Sequence, residues 1–137
     1  MNDEDTYRPN EVIIMSKAMF VRFEMPKELS DKAYEIVEAA RDTGKVRKGT
    51  NEVTKLVERS EAVLVIMAED VQPPEILAHV PLLCEERNIL YAYVPSKAEL
   101  GHAVGMEKPA ASVAVLDAGK AKPMIESFTE QIKKLRQ

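Results

Sequence analysis

Two periods of apolar side chains alternate along this chain. Leu29, Ala33, Ile36, Val37 and Ala40 fall at i, i+4, i+7, i+8 and i+11, the stripe of an amphipathic helix, and Gly44 stands where a left-handed C-terminal cap is expected. A short strand near Lys45 to Lys48 then leads through Gly49 into a second helix, with Val53, Leu56 and Val57 inward and Asn51, Glu52, Lys55 and Arg59 on its other face. Ala62 to Ala68 is apolar throughout and rich in Val and Ile, which predicts a strand covered on both faces, closed by Glu69-Asp70 and Pro73-Pro74. Residues 76 to 87 predict a helix with Ile76, Leu77, Val80, Leu83 and Cys84 inward, bent or restarted by Pro81. Leu90 to Val94 reads as the next strand, and Ser96-Lys97-Ala98-Glu99 as a capping box that opens a short helix. Gly101 to Pro109 reads as a loop, Ala111 to Leu116 as a further strand, and Met124, Ile125, Phe128, Ile132 and Leu135 as the inner stripe of a terminal helix. Helix and strand alternate, so a central sheet sandwiched by helices is the economical arrangement. Met1 to Arg8 is polar and acidic, follows neither period, and is expected to be mobile.

At 137 residues and 45% hydrophobic content the chain can bury one core, so a single domain is expected. No repeat or low-complexity tract interrupts it. Cys84 is the one cysteine, which excludes an intramolecular disulfide and fits a reducing cytosol. The apolar runs fall well short of the roughly 20 residues that cross a bilayer, and the acidic N-terminus lacks the pattern of a signal peptide. The expectation is a soluble, cytoplasmic protein without a membrane partner.

The formal net charge of -4 argues against a nucleic-acid partner until its distribution is considered. Residues 45 to 60 carry five cations, Lys45, Arg47, Lys48, Lys55 and Arg59, against two carboxylates, Glu52 and Glu58, while both flanks are acidic. A positive site on an acidic body attracts phosphate within roughly 8 Å at physiological salt, while the rest of the surface discourages indiscriminate binding. Within this stretch Asn51 and Lys55 are i, i+4 and Glu52 and Lys55 are i, i+3, so all three project on one side of a helix. Glu52 can accept from guanine amino and imino groups, Lys55 can donate to O6 or N7, and Asn51 can do either. Arg47, Lys48 and the helix N-terminus would hold the adjacent backbone. Ordinary helix-start chemistry explains the same residues equally well: Gly49 for a turn, Thr50 or Asn51 as N-cap, Glu52 against the helix dipole and Lys55 in solvent. Asp70 to Pro73 and Gly105 to Pro109 are loops that could supplement this face, with Met106 able to press on an unstacked base.

Catalysis and metal binding lack a signature. No phosphate-cradling glycine motif and no paired His or Cys motif is present. His79 and His102 read as surface or packing residues and Cys84 as a small buried hydrophobe. No cofactor is implied. The alternative class is a small-molecule-binding or enzymatic α/β domain with its cleft at the strand ends near Asp70 and Ser96.

Residues 46 to 59, with Leu64 to Asp70, Pro81 to Glu85 and Pro95-Ser96-Lys97-xx-Leu100-Gly101, resemble the archaeal large-subunit ribosomal protein of the L-seven-Ae family. Several separated motifs agree in order and spacing, from about Lys17 to the C-terminus. The resemblance implies a three-layer α-β-α sandwich with a mixed four-stranded central sheet, and binding to kink-turns, in which tandem sheared G·A pairs adjoin a three-nucleotide bulge. It implies that Asn51, Glu52 and Lys55 contact the sheared guanines, supported by Arg47, Lys48, Gly49, Thr50 and Arg59. Asp70, Gln72, Lys97, Met106, Glu107 and Lys108 would surround the extruded nucleotide. The implied partners are large-subunit ribosomal RNA, box C/D and H/ACA guide RNAs, ribonuclease P RNA, and the Nop-type scaffold protein with fibrillarin. Lys108 departs from the family, in which many archaeal members carry an apolar residue there. The family's usual beginning resembles Met15 to Glu24, so residues 1–14 are expected to be an N-terminal extension or an upstream misassigned start, and 15–137 the RNA-binding domain.

Overall fold

The computed structural model describes residues 20–136; the segment 1–14 therefore lies outside the described residues. Among the described residues five α-helices and four strands alternate in the order α1 (Lys27–Thr43), β1 (Lys45–Lys48), α2 (Thr50–Glu58), β2 (Leu64–Ala68), α3 (Val80–Glu86), β3 (Leu90–Val94), α4 (Lys97–Ala103), β4 (Ser112–Asp117) and α5 (Lys122–Leu135). The four-stranded sheet has the order β1-β4-β2-β3. β4 is antiparallel to both neighbours, whereas β2 and β3 are parallel, with Ile66 opposite Ala92. Helices α2 and α3 pack on one face, and α1 with α4 on the other, joined by α5 along α1, so the fold is the mixed α-β-α sandwich that the resemblance implies.

Every residue of β2 is buried, as its unbroken apolar run requires. Phe20, Ile36, Leu64, Ile66, Tyr91, Tyr93, Phe128 and Ile132 are among the largest fully buried side chains, and each such side chain removed from water contributes on the order of 2 kcal/mol. The α1 stripe is buried at every predicted position.

Several expectations give way to tertiary geometry. Gly44 does not adopt a left-handed cap: its φ is -132°. It is glycine for space, because a Cβ there would stand 2.0 Å from the Asp117 carbonyl oxygen. The helix expected over 76 to 87 is divided into a 3₁₀ turn, Pro74–Ile76, and α3, which Pro81 enters near its start, so the proline restarts the helix without bending it. Ile76 is consequently 41% exposed and Leu83 only half-buried, while Leu77, Val80 and Cys84 face inward. The α4 helix takes up the first residues of the loop expected from Gly101.

Candidate nucleic-acid interface

Because β1, β2 and β3 run in one direction and β4 in the other, the ends of the first three and the start of β4 share one end of the sheet. That topology gathers Lys48-Gly49, the Asp70 to Gln72 segment, Ser96-Lys97 and the loop before Ser112, which sequence spacing alone could not bring together.

Gly49 joins β1 to α2 with φ at +93° and open space around it, so conformation and not room demands glycine. Its N–H donates to the Ser112 carbonyl (3.1 Å), and the Thr50 hydroxyl shares a hydrogen bond with that of buried Ser112 (3.2 Å). The start of α2 is thereby fixed to the sheet without a side-chain N-cap, contrary to the capping role open to Thr50 or Asn51. Val53, Leu56 and Val57 anchor the helix, leaving Asn51, Glu52 and Lys55 exposed. Arg47 and Lys48 are exposed on the adjoining strand, and Arg47 Nη1 donates to the Val46 carbonyl (2.9 Å). Arg59 caps the far end of α2, one helical turn beyond Lys55 and about 12 Å along the axis from Asn51, so it extends the exposed cations along the helix.

The second shoulder of the site is α4. Ser96 caps it by accepting from Glu99 N–H (3.1 Å), but the reciprocal half of the expected capping box is replaced: Ser96 N–H donates to Tyr34 Oη (3.1 Å), whose hydroxyl donates to the Ser96 carbonyl (3.3 Å). Burial pushes the Tyr34 hydroxyl up to about 12. Asp70 Oδ1 accepts from Lys97 N–H (2.9 Å), binding the β2 loop to the first turn of α4 and placing a carboxylate at its positive end. Gln72 is exposed beside a cis peptide to Pro73. The Lys97 carbonyl accepts from Ala110 N–H and that of Gly101 from Met106 N–H, both at 2.9 Å, so the loop carrying Met106, Glu107 and Lys108 folds back on α4. A Cβ on Gly101 would stand 2.0 Å from the Lys108 carbonyl oxygen. Met106 is half-buried against the core, whereas Glu107 and Lys108 are exposed.

Some supporting residues escaped sequence reasoning. Thr54 gives its hydroxyl hydrogen to the Thr50 carbonyl (2.7 Å), so the 2.9 Å contact with His79 is one in which His79 Nε2–H donates and Thr54 accepts. This ties the exposed helix to the opening of α3. Tyr34, Thr54 and Ser112 offer no local signal, since each acts on a partner distant in sequence.

Elsewhere, Cys84 is buried and its thiol is pushed up to about 12 by desolvation. A cleft of about 490 Å³ lined by Tyr34, Glu69, Pro95 and Glu99 lies beside the α4 shoulder. Asp70 and Ser96, near which the alternative class places its cleft, both accept from backbone amides. Among the described residues no group of three His, Cys, Asp or Glu side chains is arranged to hold a metal, and no helix is long and apolar enough to cross a membrane.

Residues 31–125 match the Ribosomal protein L7Ae/L30e/S12e/Gadd45 family. The chain belongs to that family. Among solved structures, this L7Ae-family chain is similar to the Giardia lamblia 15.5kD RNA binding protein, at 31% identity and a TM-score of 0.72 over 85% of this chain and 94% of that one. The matched span runs from within α1 to the first turn of α5 and includes every element at the gathered end of the sheet.

Proposed function

We propose that this L7Ae-family protein binds RNA at the gathered end of its sheet and recognises kink-turns there, without chemistry of its own. The observation that carries the reading is the exposed set Asn51, Glu52 and Lys55 on a helix start held rigidly by Gly49, Thr50 and Ser112, beside a shoulder built from Asp70, Lys97 and the Met106 to Lys108 loop. Family membership and the likeness to an RNA-binding protein support it. A carboxylate among cations is suited to sheared G·A pairs, where Glu52 accepts from guanine N–H groups while Lys55 and Asn51 engage O6 and N7. Arg47, Lys48 and the start of α2 hold the flanking phosphates, while Arg59 reaches backbone farther along the helix. Asp70, Gln72, Lys97, Met106, Glu107 and Lys108 line the place for an extruded nucleotide.

In the cell the proposed role is that of an archaeal large-subunit ribosomal protein in the cytoplasm. Its RNAs are large-subunit ribosomal RNA, box C/D and H/ACA guide RNAs and ribonuclease P RNA, with the Nop-type scaffold protein and fibrillarin joining on the guide RNAs. Residues 15–137 form the RNA-binding domain and 1–14 an extension to it. The test is titration of the full chain with a kink-turn hairpin and with the same hairpin carrying Watson–Crick pairs in place of its G·A pairs. Tight binding of the first alone is expected; equal affinity for both rejects the sheared-pair mechanism.

A further inference from the structure

The opposite end of the sheet holds a second concentration of positive charge. A cleft of about 450 Å³ opens there between the last turns of α5, the α3–β3 connection and the beginnings of β2 and β3. Its polar wall is Asn88, Thr129, Lys133 and Arg136, and Glu85 is the carboxylate in its lining. That carboxylate is already engaged: it accepts from the Tyr91 hydroxyl and lies 3.7 Å from Arg22 Nε and 3.6 Å from Arg136 Nη2. The Arg136 guanidinium is also held over the Tyr91 ring, 4.9 Å from its centroid. Two guanidinium groups therefore share one carboxylate. Lys133 and neighbouring Lys134 are exposed and make no ion pair among the described residues, with Glu130 one turn earlier as the nearest acid on their helix.

Cations in a last turn complement the helix dipole, which by itself accounts for lysines at the end of α5. It does not account for the acceptors beside them. Thr129 gives its hydroxyl hydrogen to the Ile125 carbonyl (2.7 Å), which leaves its oxygen able only to accept, and Asn88 offers both an amide donor and a carbonyl acceptor. Cations next to acceptors match a ligand that presents an anion beside a hydroxyl donor. A ribose–phosphate unit does so through its phosphate and 2′-OH, whereas an acidic side chain presents acceptors only.

We propose that this cleft is a second RNA contact, which holds the sugar–phosphate backbone of a segment other than the one gripped at the far end of the sheet. The inference rests on the kink-turn reading for its first segment. The strands separate the two ends by roughly 17 Å, so the protein ties two RNA segments together across its own width.

The experiment saturates the full chain with unlabelled kink-turn hairpin and then titrates it with a labelled oligouridine. The oligonucleotide is expected to bind the preformed complex. Combined Lys133→Glu and Lys134→Glu substitution, on exposed side chains, should weaken that second binding by about tenfold or more while the hairpin affinity stays within about twofold. Thr129→Val, which keeps the side-chain shape, should abolish a preference for oligouridine over oligodeoxyuridine. A saturated complex that binds no oligonucleotide, or binds it unaltered after charge reversal, overturns the second contact alone. Competition by an oligoglutamate peptide as strong as by RNA overturns it in favour of an acidic protein partner. Failure of the hairpin itself to bind overturns the kink-turn reading.

Discussion

A carboxylate opposes phosphate binding by the cations beside it, and Glu52 stands exposed with Arg47, Lys48 and Lys55. Under the proposed function its role is discrimination, since it would accept from guanine edges. Glu52→Ala is therefore expected to lose about 1 to 3 kcal/mol of affinity for the kink-turn hairpin while binding to the Watson–Crick hairpin is little changed. Lys48→Ala should weaken both RNAs and lower the salt slope by about 1. Fluorescence anisotropy at several salt concentrations separates the two, and parallel effects in both variants would contradict the assigned roles. The exposed set was legible in the sequence because the Val53, Leu56 and Val57 stripe determines which side of the helix faces water. Tyr34 on Ser96 and Thr50 on Ser112 were not, because each pair is separated by 62 positions and meets only when the sheet assembles.

At the level of elements, the apolar runs gave the strands almost residue for residue, since a segment buried on both faces leaves no position for a polar side chain. The helix expected over 76 to 87 shows the converse. Its stripe included Ile76, which belongs to a separate 3₁₀ turn and faces solvent, so a helical period carried across two short elements. The α4 element concentrates what the sequence half-showed: its cap was visible, but its bracing by Asp70, Tyr34 and Ala110 was not. Ser96→Ala is expected to cost about 1 kcal/mol of stability through the lost cap, read as a lowered urea midpoint. Gly101→Ala acts differently. Its methyl group would collide with the Lys108 carbonyl, so the Met106 to Lys108 loop must move off α4. Weaker kink-turn binding with displaced Met106 methyl resonances, and little change in far-ultraviolet dichroism, is the expected outcome; unaltered affinity would remove the loop from the interface.

The whole molecule is an acidic body, and among the described residues Tyr34, Cys84, Tyr91 and Tyr93 are groups whose protons the fold retains, so its global stability responds to pH. Burial raises Tyr34 from 10.0 to about 12 and Cys84 from 9.0 to about 12, and raises Tyr91 and Tyr93 also. In each case the folded chain holds its proton more tightly than the unfolded one, so their contribution is complete below the unfolded values. It is lost as the unfolded chain ionises first, which places the decline between pH 9 and 12 for Cys84 and between pH 10 and 12 for Tyr34. The urea midpoint should therefore fall with rising pH across this window. Cys84→Ala lowers stability at every pH by leaving a small void, yet it should remove the part of the slope that begins near pH 9; Tyr34→Phe should remove a part that begins near pH 10. Cys84 should also resist thiol reagents in the native protein and react once urea unfolds it, because the thiolate that reacts is disfavoured in the core. A midpoint independent of pH from 9 to 12, together with rapid labelling of Cys84 in the native state, would mean that the α3–β3 side of the core admits water. That outcome would place water behind the cleft that Cys84 lines together with the Arg136–Glu85 pair.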